Sequence, residues 1–211
     1  MIHAYDKNYL AKAQNNLAVM FDFAVYDLDF HLEDFYKLFL QSELSHRFEE
    51  GDTSIIAGKS GVELALEIIG DDAKADKYKP VADRSPEYWT GWALAYFQWE
   101  TNLKFGHIDN LIPITEIRTM YNPYHEMDIS QFCDYMKSLY NERDSVSNIK
   151  KLRLSAGLSQ SELSKISEIP LKTIQQYEQK QKNINAAKVE TVIKLAKSLS
   201  CNVEQLMEIK N

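Results

Sequence analysis

Apolar residues recur three and four positions apart along much of this chain, and little interrupts them. Leu32, Phe35, Leu38, Phe39, Leu40 and Leu44 keep that spacing, which marks an amphipathic helix rather than a strand. The run from Tyr9 to Leu28 carries Leu10, Leu17, Val19, Met20, Phe23 and Ala24 with no breaker. Seven Gly and five Pro in 211 residues is about half of average usage, so turn-rich β-architectures are disfavoured. The expected fold class is all-α.

Capping signals mark where further helices start. Ser60 is placed to cap a helix from Gly61 to Ile69. Ser85-Pro86-Glu87 supplies a capping hydroxyl, a Pro at the first helical position and an early carboxylate, as helix starts require. Asp128 and Gln131 have capping-box spacing and open a last helix of the first part, with Phe132, Tyr135, Met136 and Leu139.

Charge divides the chain in two. Ser147 to Asn211 holds 11 Lys and Arg against 6 Asp and Glu, net +5, whereas the preceding 146 residues hold 13 against 25, net −12. Opposite signs on neighbouring parts imply different partners. The polar stretch 141–148 reads as a linker, giving an acidic helical domain over 1–145 and a basic domain over 146–211. No apolar run reaches the roughly 18 residues that a membrane span requires. Residues 1–10 lack a signal peptide's basic-then-apolar order. Cys133 and Cys201 form neither a C-x-x-C motif nor a disulfide framework. A cytoplasmic protein with no membrane partner is expected.

Several residues suggest chemistry and then fail to complete it. Gly58-Lys59-Ser60 is the tail of a phosphate-cradling loop, but Thr53 stands where the first Gly belongs, and Thr53–Ile56 is too short for a strong preceding strand. Glu43 and His46 have the spacing used in di-iron bundles, which need two such pairs and two further Glu; a solvated helix face is the simpler account. His31, His107 and His125 are each isolated near acidic residues, with no nucleophile at a matching spacing. The expectation is no catalysis, no metal and no cofactor.

Trp89, Trp92, Tyr96 and Trp99 belong to an aromatic helix that could be core, partner groove or stacking platform. Trp92, Tyr96 and Trp99 share one face while Trp89 and Phe97 lie on others, and a helix apolar nearly all round is usually buried. The acidic surroundings disfavour nucleic acid there. The four are carried forward as partner-binding candidates.

The last 65 residues hold five short helical patterns. Ile149 and Leu152 give the first, ending near Gly157; Ser159 caps the second, which starts at Gln160 with Leu163 as its anchor. Ile169 lies in a tight turn, and Pro170 opens the third, with Ile174 and Tyr177 inward. A fourth runs from Ala186 through Val192 and Leu195 to Leu199, and Asn202 with Gln205 caps a fifth carrying Val203 and Leu206. Leu171, Lys172, Gln175 and Gln176 are left pointing outward on the third helix. Gln can bond adenine bidentately and Lys can donate to guanine, while Thr173 and the tail Gln179–Lys182 suit backbone phosphates. A merely solvated face would use the same residue types.

Taken together, Leu152-Arg153, Gly157-Leu158-Ser159-Gln160, Glu162-Leu163, Ile169, Thr173–Glu178 and Leu195-Ala196 resemble the helix-turn-helix of the Xre family, the Cro and phage-repressor type. The resemblance implies a five-helix lambda-repressor-like DNA-binding domain with helix three in the major groove. It implies Gln160 on a phosphate, Leu171, Lys172, Gln175 and Gln176 at base edges, and Gln179 and Lys182 at following phosphates. Ile149, Leu152, Leu158, Leu163, Ile169, Ile174, Leu195 and Leu199 would form the core. The chain departs from the family at Glu168, at Gln179-Lys180 and at Ser200, where Gly or Asn-Gly is usual, and at Ser164 in place of Ala. A left-handed conformation at such residues is strained.

Tyr9–Leu44 and Trp89–Trp99, followed by this motif, are similar to regulators of toxin–antitoxin operons of Gram-positive bacteria, some of which encode an ADP-ribosyltransferase-like partner. That likeness implies an antitoxin that represses its own operon as a homodimer on double-stranded DNA and binds a cognate toxin through the acidic domain. The alternative is a one-component repressor that senses a small ligand through the same domain. Dimerisation alone is a third role for it. A sensor calls for a polar-decorated cavity near the aromatic helix, an antitoxin for an exposed apolar groove.

Overall fold

A computed structural model describes residues 3–70 and 84–208. Among the described residues there are fifteen α-helices and no strand, so the all-α expectation holds. The chain divides into a unit over Met1–Tyr140 and another over Asn141–Asn211.

In the first unit the helices are α1 (Leu10–Tyr26), α2 (Leu32–Gln41), α3 (Glu43–Glu49), α4 (Thr53–Ile56), α5 (Gly61–Ile69), α6 (Pro86–Thr101), α7 (Phe105–Leu111), α8 (Ile114–Thr119), α9 (Tyr121–Tyr124) and the start of α10 (Ile129–Ser145). The spine is α1, whose Ala13, Leu17, Ala18, Met20, Phe21, Phe23 and Ala24 are all fully buried. Two glycines let its neighbours come that close. A Cβ at Gly91 of α6 would stand 2.5 Å from the Leu17 carbonyl oxygen, and one at Gly61 of α5 would stand 2.4 Å from that of Asn16. Buried Asn16 donates Nδ2 to the carbonyls of Ile56 (3.0 Å) and Lys59 (2.7 Å), tying down the chain that enters α5. Ser60 and Glu63 close a capping box at that entry, and Ser85 caps α6 through the Tyr88 amide.

One reading of this unit needs correction. The apolar pattern from Leu32 to Leu44 is two helices, not one, because Ser42 turns extended (ψ 152°) and bonds the Phe39 carbonyl with its hydroxyl. Thr53–Ile56, too short for a strong strand by its sequence, is a short helix capped by the Asp52 side chain. The polar stretch 141–148 read as a linker is helical as far as Ser145, the end of α10.

The second unit contains α11 (Asn148–Ser155), α12 (Gln160–Ser167), α13 (Leu171–Glu178), α14 (Val189–Ser198) and α15 (Val203–Leu206). Its core is Ile149, Leu163, Ile169, Ile174, Tyr177, Ile184, Val192, Leu195, Ala196, Leu199 and Leu206, with Leu152 and Leu158 half-buried against it. The fourth helix starts at Val189 rather than Ala186. Asn183 accepts from the Asn185 amide and winds Ile184–Ala186 into a separate 3-10 turn, after which Ala187 and Lys188 are extended. Glu168, Lys180 and Ser200 adopt φ of 57°, 53° and 51°. All three family departures at glycine positions are therefore left-handed in this chain.

Candidate nucleic-acid interface

The interface begins with how α13 is held. Its N-terminal turn is set by Pro170, whose carbonyl accepts from the Thr173 (2.8 Å) and Ile174 (3.2 Å) amides. Ile174 and Tyr177 anchor one side in the core. At its last residue, buried Glu178 accepts from Arg153 of α11 at two nitrogens, 2.6 Å from Nε and 3.0 Å from Nη2. Gln160 of α12 donates to the same carboxylate at 2.8 Å. Arg153 also donates to the Leu158 carbonyl at 2.7 Å, so its buried guanidinium is well satisfied. Burial pushes the Glu178 carboxyl up, but the bonds from Arg153 and Gln160 outweigh it and hold it below the usual range. One carboxylate thereby fixes three helices.

Opposite Ile174 and Tyr177, the residues Leu171, Lys172, Gln175 and Gln176 fall within about 140° of helix circumference at 100° per residue. Leu171 and Lys172 are exposed, Gln175 and Gln176 half-buried. Thr173 is half-buried, and Gln179 and Lys182 are exposed beyond the helix. Lys182 sits with its Nζ 5.8 Å from the Tyr177 ring centroid, within reach of a cation–π contact.

Gln160 differs from its expected place. It is spent on Glu178 rather than turned to solvent, and Gln175 Nε2 lies 3.5 Å from its Oε1. Two basic residues went unnoticed in the sequence. A groove of about 460 Å³ beside α13, lined by Thr173, Tyr177 and Lys182, continues along Lys188, Thr191 and Lys194 of the following segment, with Glu168 and Glu190 also in its wall and both paired with Lys194. Nothing in local spacing joins positions 173 and 188, because the fold makes that neighbourhood.

Residues 149–206 match the helix-turn-helix family. The C-terminal unit is an Xre/Cro-type helix-turn-helix domain. The match leaves the acidic unit outside it, and no curated protein or solved structure matches the chain. A helix-turn-helix of this type makes the protein a DNA-binding transcriptional regulator, with α12 and α13 as the two helices of the motif.

In the acidic unit the aromatic helix α6 is mostly core. Trp89 packs edge-on against Tyr121 and Phe132, at 5.8 and 5.2 Å between centroids. Trp99 donates its indole N–H to the Tyr5 carbonyl at 2.8 Å and stacks on His3. Both are buried. Trp92 and Tyr96 are half-buried, the more accessible two of the four aromatic candidates.

Beside the start of α6 lies a cavity of about 460 Å³, with Val25, Phe30 and Leu32 as its apolar lining and Glu87, Thr115 and Arg118 among its polar groups. Glu87 is buried and accepts from Arg118 Nε and, at 2.8 Å, from the Tyr26 hydroxyl. Burial raises the Glu87 carboxyl, and the bonds from Arg118 and Tyr26 bring it below the ordinary glutamate value. No local spacing announces this site, whose parts are scattered over four segments. Among the described residues, no helix is long and apolar enough to cross a membrane.

Proposed function

We propose that the protein is a sequence-specific repressor that binds a two-fold operator as a homodimer, each copy laying α13 in a major groove. The observation that carries this is the outward arc of Leu171, Lys172, Gln175 and Gln176 on a helix fixed by the Arg153–Glu178–Gln160 network. Two such helices on one face of B-DNA sit about 34 Å apart, one helical turn. Gln179, Thr173 and Lys182 would take flanking phosphates, and Gln160 would join them only by leaving Glu178.

Selection of binding sites from random double-stranded DNA by the full chain tests the reading. A palindromic consensus is expected, and Gln176→Ala should lose about 1–3 kcal/mol on it while discriminating less at one position of each half-site. Unchanged discrimination in that variant would refute the assignment.

The acidic unit is the regulator's input, and two readings of it have separate support. Similarity to toxin–antitoxin regulators and a net charge of −12 over the first 146 residues favour an antitoxin that holds a basic toxin. The cavity at Glu87 and Arg118, polar-decorated and next to the aromatic helix, favours a ligand sensor. A pull-down from source-cell lysate with the full chain separates them. One stoichiometric protein encoded next to this gene would support the antitoxin, and its absence would shift the weight to the sensor.

A further inference from the structure

The cavity in the acidic unit has a chemistry of its own. Its volume of about 460 Å³ falls within the roughly 300–1,000 Å³ range of small-molecule sites. Phe30 and Val25 are half-buried and Leu32 is buried, so an apolar body has a surface to lie on. The decisive group is Arg118. Buried Glu87 takes its Nε, and among the described residues neither Nη1 nor Nη2 makes a hydrogen bond. Its side chain is 44% exposed. A guanidinium held by one edge and open along the other suits a planar, bidentate acceptor.

The rest of the lining is mixed in charge. Thr115 is exposed beside Arg118, three residues earlier on α8, and lines the same cavity. The cavity also includes His31, Glu33 and Asp34 at the N-terminus of α2, a helix that has no side-chain cap and whose first amides favour an anion. The two carboxylates there are held by Lys37, whose Nζ lies 2.8 Å from Glu33 and 3.9 Å from Asp34. Their charge is thus partly compensated, while the outer edge of Arg118 has no partner among the described residues.

The geometry points to a site for a small carboxylate ligand with a short apolar body, its two oxygens on Arg118 Nη1 and Nη2 and its tail against Phe30 and Val25. This rests on the sensor reading of the acidic unit and supplies its ligand class.

Calorimetric titration of the full chain with hexanoate, 1-hexanol and hexylamine tests it. Hexanoate should bind at one site per chain, and the alcohol and the amine at least about tenfold more weakly, the lower end of the range for losing a charge-assisted hydrogen bond. Arg118→Gln should weaken hexanoate by about ten- to a hundredfold, and Arg118→Lys by less. Because Arg118→Gln also strips Glu87 of its cation, Thr115→Val serves as a second variant that leaves the Glu87–Arg118 pair intact. A several-fold loss is expected there. Equal binding of hexanol would mean an apolar cleft only, tighter binding of hexylamine would mean that the acidic rim selects cations, and no binding of hexanoate would remove the site; each overturns the proposal. If hexanoate binds as described yet leaves operator affinity unchanged, the site stands and the sensor reading is what fails.

Discussion

Three non-glycine residues with positive φ in one small unit offer a sharp test of the backbone argument. A left-handed conformation costs a residue with a Cβ about 1–2 kcal/mol, and glycine removes that cost while giving back about 0.4–1 kcal/mol through its more flexible unfolded chain. Ser200→Gly should therefore stabilise the second unit by about 0.5–1 kcal/mol, since Ser200 is exposed. Glu168→Gly should gain less. It gives up a pair with Lys194 at 3.3 Å, exposed at 39% and 77% for the two side chains, and such pairs contribute about 0–1 kcal/mol. Lys180→Gly should come out near neutral, because Lys180 also donates to the Asp144 carbonyl and pairs with Glu208 at 3.4 Å. Tryptophan fluorescence reports only on the first unit, which holds all three Trp. The assay is hydrogen exchange by mass spectrometry on peptides from α13 and α14 in the full chain. For Ser200→Gly, exchange through global opening should slow about two- to fivefold, and Ser200→Ala, which keeps the Cβ, should not slow it. Equal protection by Gly and Ala would show that φ at this position is not what costs energy.

Further outcomes follow from other contacts. Lys182→Ala should weaken binding to every DNA sequence and flatten the salt dependence by about one unit of slope, read from affinities at several salt concentrations; a loss confined to one sequence would contradict a phosphate role. Arg153→Ala leaves the Glu178 carboxylate buried without its cation and should cost about 3–5 kcal/mol, enough to abolish exchange protection across α13. The Glu178 carboxyl is held below its unfolded value of about 4.3, so its contribution is present above that pH and lost as pH falls through the folded value. The stability gap between wild type and Glu178→Gln should therefore narrow in acid, and a gap constant from neutral to acid pH would refute the linkage. Gly91→Ala should destabilise the first unit, lowering the temperature of its tryptophan transition, because the new Cβ meets the Leu17 backbone rather than a movable side chain.

Local signals in the sequence carried a good part of the fold. The caps expected at Ser60 and Ser159 form, each as a reciprocal box with the glutamate three residues on, and Gln205 accepts from the Asn202 amide, because a cap and its partner are three residues apart; at Asp128 the side chain accepts from the Ser130 amide instead of completing a box with Gln131. The inward positions of α13 were legible for the same reason. Breaks made by the backbone were harder to see. Phe39, Leu44 and Phe48 are all buried, so apolar spacing runs on past Ser42 although the helix does not. The short helices α7 to α9 gave no pattern to read, since Pro113 and the turns around it cut their buried residues into twos and threes. The role of Gln160 depended on a carboxylate eighteen positions away, and the Arg118 cavity on segments that only packing brings together. Side chains whose partners are distant in sequence escape a reading built on spacing.

The way α1 is clasped bears on how relatives of the acidic unit would be recognised. Where side chain meets side chain, one partner can shrink as the other grows, and lineages drift apart in sequence while keeping the fold. At Gly61 and Gly91 the opposing atoms are main-chain atoms of Asn16, Leu17, Ala18 and Met20, with the Val19 Cβ beside them at Gly61, and the main-chain atoms are ones that no substitution can trim. Those two positions admit no compensating change, so descent would leave them fixed while the aromatic core around them is rewritten. A pair of glycines set to either side of one long apolar helix, with an asparagine at the point of closest approach, is the mark by which distant kin of this domain can be sought after overall identity has faded.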